Sequence, residues 1–297
     1  MSDPVIVGVD GSASGFDAVD LAAREAHPRE APLRIVLALG RPSVRLPTGT
    51  APWNPGDQGL EAMALGVLAR AEERAHQVAP GIEITRSVGA GEAFEVLEIE
   101  SRSAVPAALG SRGRSAFAGL LLGSTAVRLA AHGRCPLMVV RGRAAPTGPV
   151  LLAVDGSPAG QAAVEFAFAE TALRKAPLVA RHVWNTWSEG AYEGPGDPLT
   201  AVVVDVAHLR ETGQHLMDVA VASSQEDVPQ VAVERRPVRS RIRPALIDVS
   251  RQAQLVVTGA RGRGGFTALL LGSVGQALLH HAHCTVTVTV TVVRGKE

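Results

Sequence analysis

Residues 108–125 read ALGSRGRSAFAGLLLGST, and residues 257–274 read VTGARGRGGFTALLLGSV. In the first stretch Gly110, Gly113 and Gly123 are followed by Ser124. In the second Gly259, Gly262 and Gly272 are followed by Ser273 at the same internal spacing. A lone Gly-x-x-Gly marks no more than a turn, because glycine and serine are ordinary loop residues. The same spacing found twice calls for a common cause.

Outward from these stretches the likeness continues. VIVGVDGSASGFDAVDLAAREA (5–26) reappears as VLLAVDGSPAGQAAVEFAFAET (150–171), so Asp10-Gly11-Ser12 matches Asp155-Gly156-Ser157. Cys135 likewise matches Cys284. A repeat this long means two copies of one domain, since solenoid units are much shorter. The polar, Pro- and Gly-containing RGRAAPTGP (141–149) reads as the linker, giving domains over 1–143 and 149–297.

Each copy alternates two periodicities. The β-branched run Val5–Val9 reads as a strand buried on both faces. Ser12 or Ser14 can cap a helix over 15–27 that turns Phe16, Val19, Ala23 and Ala26 to one side. Strands follow at Leu33–Leu39, Ile82–Val88, Ala104–Leu109 and Leu137–Val140. Helices lie over Gly59–Val78, Glu92–Ser101 and Thr125–His132. The second copy predicts strands near 150–154, 178–184, 230–235, 254–258 and 285–293. Alternation of this kind implies parallel pairing and right-handed crossovers, hence an open α/β sheet with helices on both faces.

In such a sheet ligands sit beyond the carboxyl ends of the strands, where strand order reverses. If the first and fourth strands are neighbours there, Asp10-Gly11-Ser12 and the loop from Gly110 face one crevice. Gly110 and Gly113 then let backbone N–H groups approach anionic oxygens that a Cβ would keep away. Gly123-Ser124 opens the next helix, whose N-terminus favours phosphate. Arg112 and Arg114 add charge, and Asp10 suits ribose hydroxyls. No G-x-x-x-x-G-K-[ST] occurs, and no G-x-G-x-x-G follows the first strand, so neither a P-loop nor a classical dinucleotide fingerprint is present.

VGVDGS, GSRGRSAFAGLLLGST, GARGRGGFTALLLGSV and the closing HHAHC resemble the universal stress protein family, in its actinobacterial form with two domains in tandem. The resemblance implies two five-stranded parallel sheets, Rossmann-like and akin to adenine nucleotide alpha hydrolases. It also implies ATP, with Mg²⁺, as the ligand. By position, the first copy would use Asp10, Gly11 and Ser12, with Ala38 beside adenine. Gly110, Arg112, Gly113, Gly123, Ser124 and Thr125 would surround the phosphates. The second would use Asp155, Gly156, Ser157, Val183, Gly259, Arg261, Gly262, Gly272, Ser273 and Val274. The function implied is a nucleotide-dependent regulatory module in stress response. A slow ATPase, a protein phosphorylating itself at Ser124 or Ser273, and a nucleotide-free chaperone-like module remain open beside it.

The copies differ. SAVPAALG places Pro106 where the second copy has QLVVTG, which predicts a shorter or looser fourth strand in the first copy. Ser115-Ala116 stands against Gly264-Gly265, and Leu39 against Trp184, so the second copy is expected to hold the better-formed site. CTVTVTVTVVRGKE alternates Thr and Val, predicting one apolar and one hydroxylated face. In the resembled family the last strands mediate association, which implies a homodimer or a pseudo-dimer within one chain. ERRPVRSRIRP (234–244) reads as a solvated loop, and His280, His281 and His283 as helix C-terminal histidines rather than metal ligands. Cys135 and Cys284 read as buried and inert.

The bulk numbers agree with a globular chain. Of 297 residues, 46% are apolar and 20% charged, and the formal net charge is zero, which gives no reason to expect binding to nucleic acid or a membrane surface. The start lacks a signal-peptide pattern, no apolar run is long enough to span a bilayer, and the two cysteines form no disulfide framework. These features predict a cytoplasmic setting.

Overall fold

The run around Val5 becomes strand β1 (Val5–Gly8), and its alternate side chains serve two different layers. Val5, Val7 and Val9 face a core shared with α1 (Ala13–Ala26) and α2 (Pro55–Val78), while Ile6 is fully buried on the opposite face. In this computed structural model residues 2–40, 55–113, 122–142, 145–185, 206–262 and 271–290 are described. The chain divides into two compact units, Met1–Val140 and Arg141–Glu297.

In the first unit β2 (Leu33–Leu39), β3 (Ile84–Ala90), α3 (Ala93–Glu100), β4 (Ala107–Gly110), α4 (Ser124–His132) and β5 (Leu137–Val140) complete the layers. The strands run in the order β3-β2-β1-β4-β5, all parallel. The chain winds outward from β1 to β3, then returns to the other side of β1. Ile6 lies opposite Ala107 and Gly8 opposite Leu109, so the reversal falls between β1 and β4. Fully burying a residue such as Val5 or Leu33 stabilises the unit by roughly 1.5–3 kcal/mol. Arg74 joins α2 to α1 by bonding Asp20 at 2.5 Å and Asp17 at 3.0 Å. The bond to Asp20 raises the Arg74 pKa. Exposed as this pair is, it contributes no more than about 1 kcal/mol.

The second unit repeats the design with β6 (Val150–Ala153), α5 (Gln161–Arg174), β7 (Leu178–Trp184), α6 (Val206–Asp227), β8 (Val233–Arg239), α7 (Ile242–Val249), β9 (Leu255–Gly259), α8 (Ser273–His281) and β10 (Thr285–Thr289). Here the order is β8-β7-β6-β9-β10, again parallel, with the reversal between β6 and β9.

Three expectations are corrected or sharpened. ERRPVRSRIRP is not a loop: Glu234–Arg239 lie in β8 and Ile242–Pro244 open α7. Strand β8 pairs with β7 from Leu178↔Val233 to Trp184↔Arg239, and charged side chains suit a sheet edge because they discourage further pairing. The Thr face of β10 is not open to water. Thr285, Thr287 and Thr289 are buried along with Val286 and Val288, because α5 and α8 both pack against this strand. Residues 291–293 of that expected strand lie outside the described residues. Strand β4 has four residues and starts after Pro106, against five in β9, as the lost proline N–H requires.

Cys135 and Cys284 are buried, and burial pushes both thiols up to about 12. The thiolate is the reactive form, so iodoacetamide at neutral pH should leave the native protein unmodified while the denatured chain takes up label at both positions. Rapid labelling of the native protein would contradict this.

Candidate functional site

The loop after β1 is shaped by its own side chains. Asp10 Oδ1 accepts the Ser12 N–H at 3.0 Å, which tightens Asp10-Gly11-Ser12 into a turn. Gly11 sits at φ 81° and Gly156 at φ 71°, in the left-handed region where glycine is at ease. Ser12 rather than Ser14 caps α1, its Oγ accepting the Gly15 N–H at 3.1 Å. Ser14 has another partner. Its Oγ accepts the Arg112 N–H at 3.2 Å and donates to the Arg112 carbonyl, to which Ser12 Oγ also donates at 3.2 Å.

These bonds join the loop after β1 to the loop after β4 across the strand reversal. The two loops approach so closely that a Cβ on Gly110 would lie 2.5 Å from the Ser14 backbone. One on Gly113 would lie 2.8 Å from Asp10 Oδ2. The Gly123 N–H then donates to Ser111 O at 2.9 Å, bringing the start of α4 against the same loop. Gly123 caps α4 in an extended conformation with no side-chain hydrogen bond, so no cap side chain occupies the first-turn N–H groups of Ser124 and Thr125. They point their dipole at the loop.

The second unit builds the same corner with different details. Asp155 Oδ1 accepts the Ser157 N–H at 2.9 Å and its hydroxyl at 2.7 Å. A short 3-10 turn (Pro158–Gly160) precedes α5, and Ala159 stands where the first unit has Ser14. A Cβ on Gly262 would reach 2.3 Å from Asp155 Oδ2. The Gly272 N–H donates to Ala260 O at 2.8 Å, and Gly272 caps α8 without a side-chain bond, ahead of Ser273 and Val274. Gly259 ends β9, and Arg261 is exposed at the front of the loop.

Ala38 and Val183 are each the second-last residue of their strands, β2 and β7, next to β1 and β6. The residues singled out from the sequence thus gather at one corner in each unit, with Ala38 and Val183 one strand away. Arg114, Ser115-Ala116 and Gly264-Gly265 fall outside the described residues. Sequence reasoning weighed Ser14 only as a helix cap. Its role as the bridge between loops carries no local signal, because its partner lies 98 residues away. Among the described residues no group of three or more His, Cys, Asp or Glu is placed to hold a metal ion, and no helix is long and apolar enough to cross a membrane.

Fold and corner together define a doubly wound α/β protein in which each of two repeats carries a glycine loop and an uncapped helix N-terminus at its strand reversal. The Universal stress protein family profile matches residues 1–141 and 147–290, and the chain belongs to that family. It is 33% identical over 304 residues to Universal stress protein Rv1996 of Mycobacterium tuberculosis, covering 96% of this chain and 94% of the relative. A universal stress protein of Mycolicibacterium smegmatis is 35% identical over 300 residues, covering 98% and 96%. The crystal structure of a universal stress protein from Archaeoglobus fulgidus superposes with a TM-score of 0.65 at 18% identity, covering 97% of this chain and 96% of that one, a likeness of fold.

Proposed function

We propose that each domain, 1–143 and 149–297, binds ATP at this corner and that nucleotide occupancy regulates the protein's association in the stress response. The observation that supports this most is the meeting of three parts in both units: a carboxylate turn, a loop with a glycine, Gly113 or Gly262, packed too closely against that carboxylate for a Cβ, and a helix start with uncapped N–H groups. Backbone amides freed in this way bind anionic oxygens without a dedicated lysine.

In this reading Asp10 and Asp155 take ribose hydroxyls. A carboxylate has about four acceptor sites, so the bond to the Ser12 or Ser157 N–H leaves capacity for more. Gly11, Ser12, Gly156 and Ser157 hold the turn, and Ala38 and Val183 border the base. Gly110, Gly113, Gly123, Ser124 and Thr125, with Gly259, Gly262, Gly272, Ser273 and Val274, line the phosphates, while Arg112 and Arg261 add positive charge. Mg²⁺ would arrive on the nucleotide, held by phosphates and water as this small ion usually is. The last strands would carry association, as a homodimer or as a pseudo-dimer within the chain.

Isothermal titration of the purified protein with ATP tests the reading. Saturable binding is expected, and excess absorbance near 260 nm in freshly purified material would agree with it. A flat titration with nucleotide-free protein would contradict it.

A further inference from the structure

Beside the second site a groove of about 750 Å³ runs between α7 and α8. Its lining includes Arg241 and Arg243 from the start of α7, Ser273 from the start of α8, and His280 and His281 from the end of α8. Among the described residues no Asp or Glu lines it. Arg241, Arg243 and His281 are exposed, His280 is half-buried, and among the described residues neither arginine pairs with a carboxylate.

The equivalent positions of the first unit carry a different set of side chains. At the place of Arg243 it has Phe94, at that of Ala277 it has Arg128, and at that of His281 it has His132. The Arg128 guanidinium stacks 4.0 Å above the Phe94 ring, and His132 meets that ring edge-on at 5.9 Å. At the place of Arg241 stands Glu92, and at that of Ile247 stands Glu98, which is paired with Arg102 at 2.9 Å. Two changes in the second unit, a ring replaced by a guanidinium and a guanidinium by a methyl, thus remove the stack. A third, Glu92 to Arg241, reverses the charge at one end.

We propose that this groove binds a small ligand carrying several phosphates. Two arginines with no acidic neighbour among the described lining residues call for an anion, and the rings of His280 and His281 can donate hydrogen bonds to it. The guanidinium fork matches phosphate oxygens two at a time, and the start of α8 adds its own attraction for phosphate at one end. From Ser273 to His281 the helix rises about 12 Å, which suits a chain of phosphates better than a single one. The volume falls in the ordinary range for small-molecule sites. Burial lowers the His280 pKa, and the positive charges of His281 and Arg141 nearby lower it further. The groove shares Ser273 and Val274 with the nucleotide site and otherwise uses different residues, so it does not depend on that reading.

Inorganic tripolyphosphate is the probe, followed by calorimetry at low ionic strength. Wild-type protein should bind it, and Arg241→Ala/Arg243→Ala should weaken binding by about tenfold or more, the range for losing charge-assisted hydrogen bonds. Arg243→Phe/Ala277→Arg, which restores the first unit's stack and leaves net charge unchanged, should weaken it as much. All of these positions lie at the surface, and an unchanged melting temperature checks that the variants fold. Affinity unchanged in both variants would overturn the proposal. So would binding that survives them yet is lost in Gly262→Ala, because the anion would then lie in the glycine loop. A decaglutamate peptide that binds more tightly than tripolyphosphate through the same arginines would also overturn it, by assigning the groove to a polypeptide.

Discussion

Gly262→Ala is expected to lower the second domain's affinity for ATP by about tenfold or more, a loss of roughly 1.4 kcal/mol. The added Cβ would sit 2.3 Å from Asp155 Oδ2, so either the carboxylate turn or the glycine loop must move. Both hold ligand in the proposed site, and neither can shift without spoiling the other's approach. Gly113→Ala should act the same way in the first domain, more mildly, because its Cβ would stand 2.8 Å from Asp10 Oδ2. Melting temperatures should change little, since both loops lie at the surface at the ends of their strands. Calorimetry on the double variant gives the clearest result. Affinity should fall at both sites, and a double variant that binds ATP like wild type would exclude this corner as the site.

The second large effect concerns stability and separates the two copies. Gly110→Ala should destabilise the first domain by about 2–3 kcal/mol, the upper range for forcing atoms into a filled space. Its Cβ would meet the carbonyl carbon and oxygen of Ser14 at 2.5 Å, and main chain at the start of α1 cannot rotate away. The equivalent Gly259→Ala meets its nearest atom, Arg261 O, at 3.1 Å, and should cost about 1 kcal/mol or less. Calorimetric unfolding of each variant checks the contrast, with a loss of several degrees expected for the first. Equal losses in the two would show that the loops do not approach as described.

The sequence carried the parallel fold because Val5–Val9 and Leu33–Leu39 are apolar runs bounded by turn residues, and such runs need no tertiary information to be read. The corner was legible for a different reason. Gly110 is required by close approach to main chain, and Gly113 and Gly262 by the carboxylates of Asp10 and Asp155, and the glycine spacing is the same in both copies. Strand β8 was expected near 230–235, but its end through Arg239 was read as loop because its arginines lie on a sheet edge, where pairing to β7 rather than apolar alternation makes the strand. The buried Thr face of β10 was missed because a period-two pattern cannot say that helices cover both faces. Ser14 and the α7–α8 groove depend on residues far apart in the chain. The groove shows only when Phe94 is set against Arg243 and Arg128 against Ala277, a comparison that means nothing until the ring and guanidinium are seen stacked.

A crystal structure determined with ATP is the most direct test of the central claim. It should place phosphate oxygens within hydrogen-bond distance of the Gly113 and Ser124 N–H groups in the first domain, or of Gly262 and Ser273 in the second, with the ribose against Asp10 or Asp155. ATP bound away from both corners, or absent from crystals grown in saturating nucleotide, would contradict it.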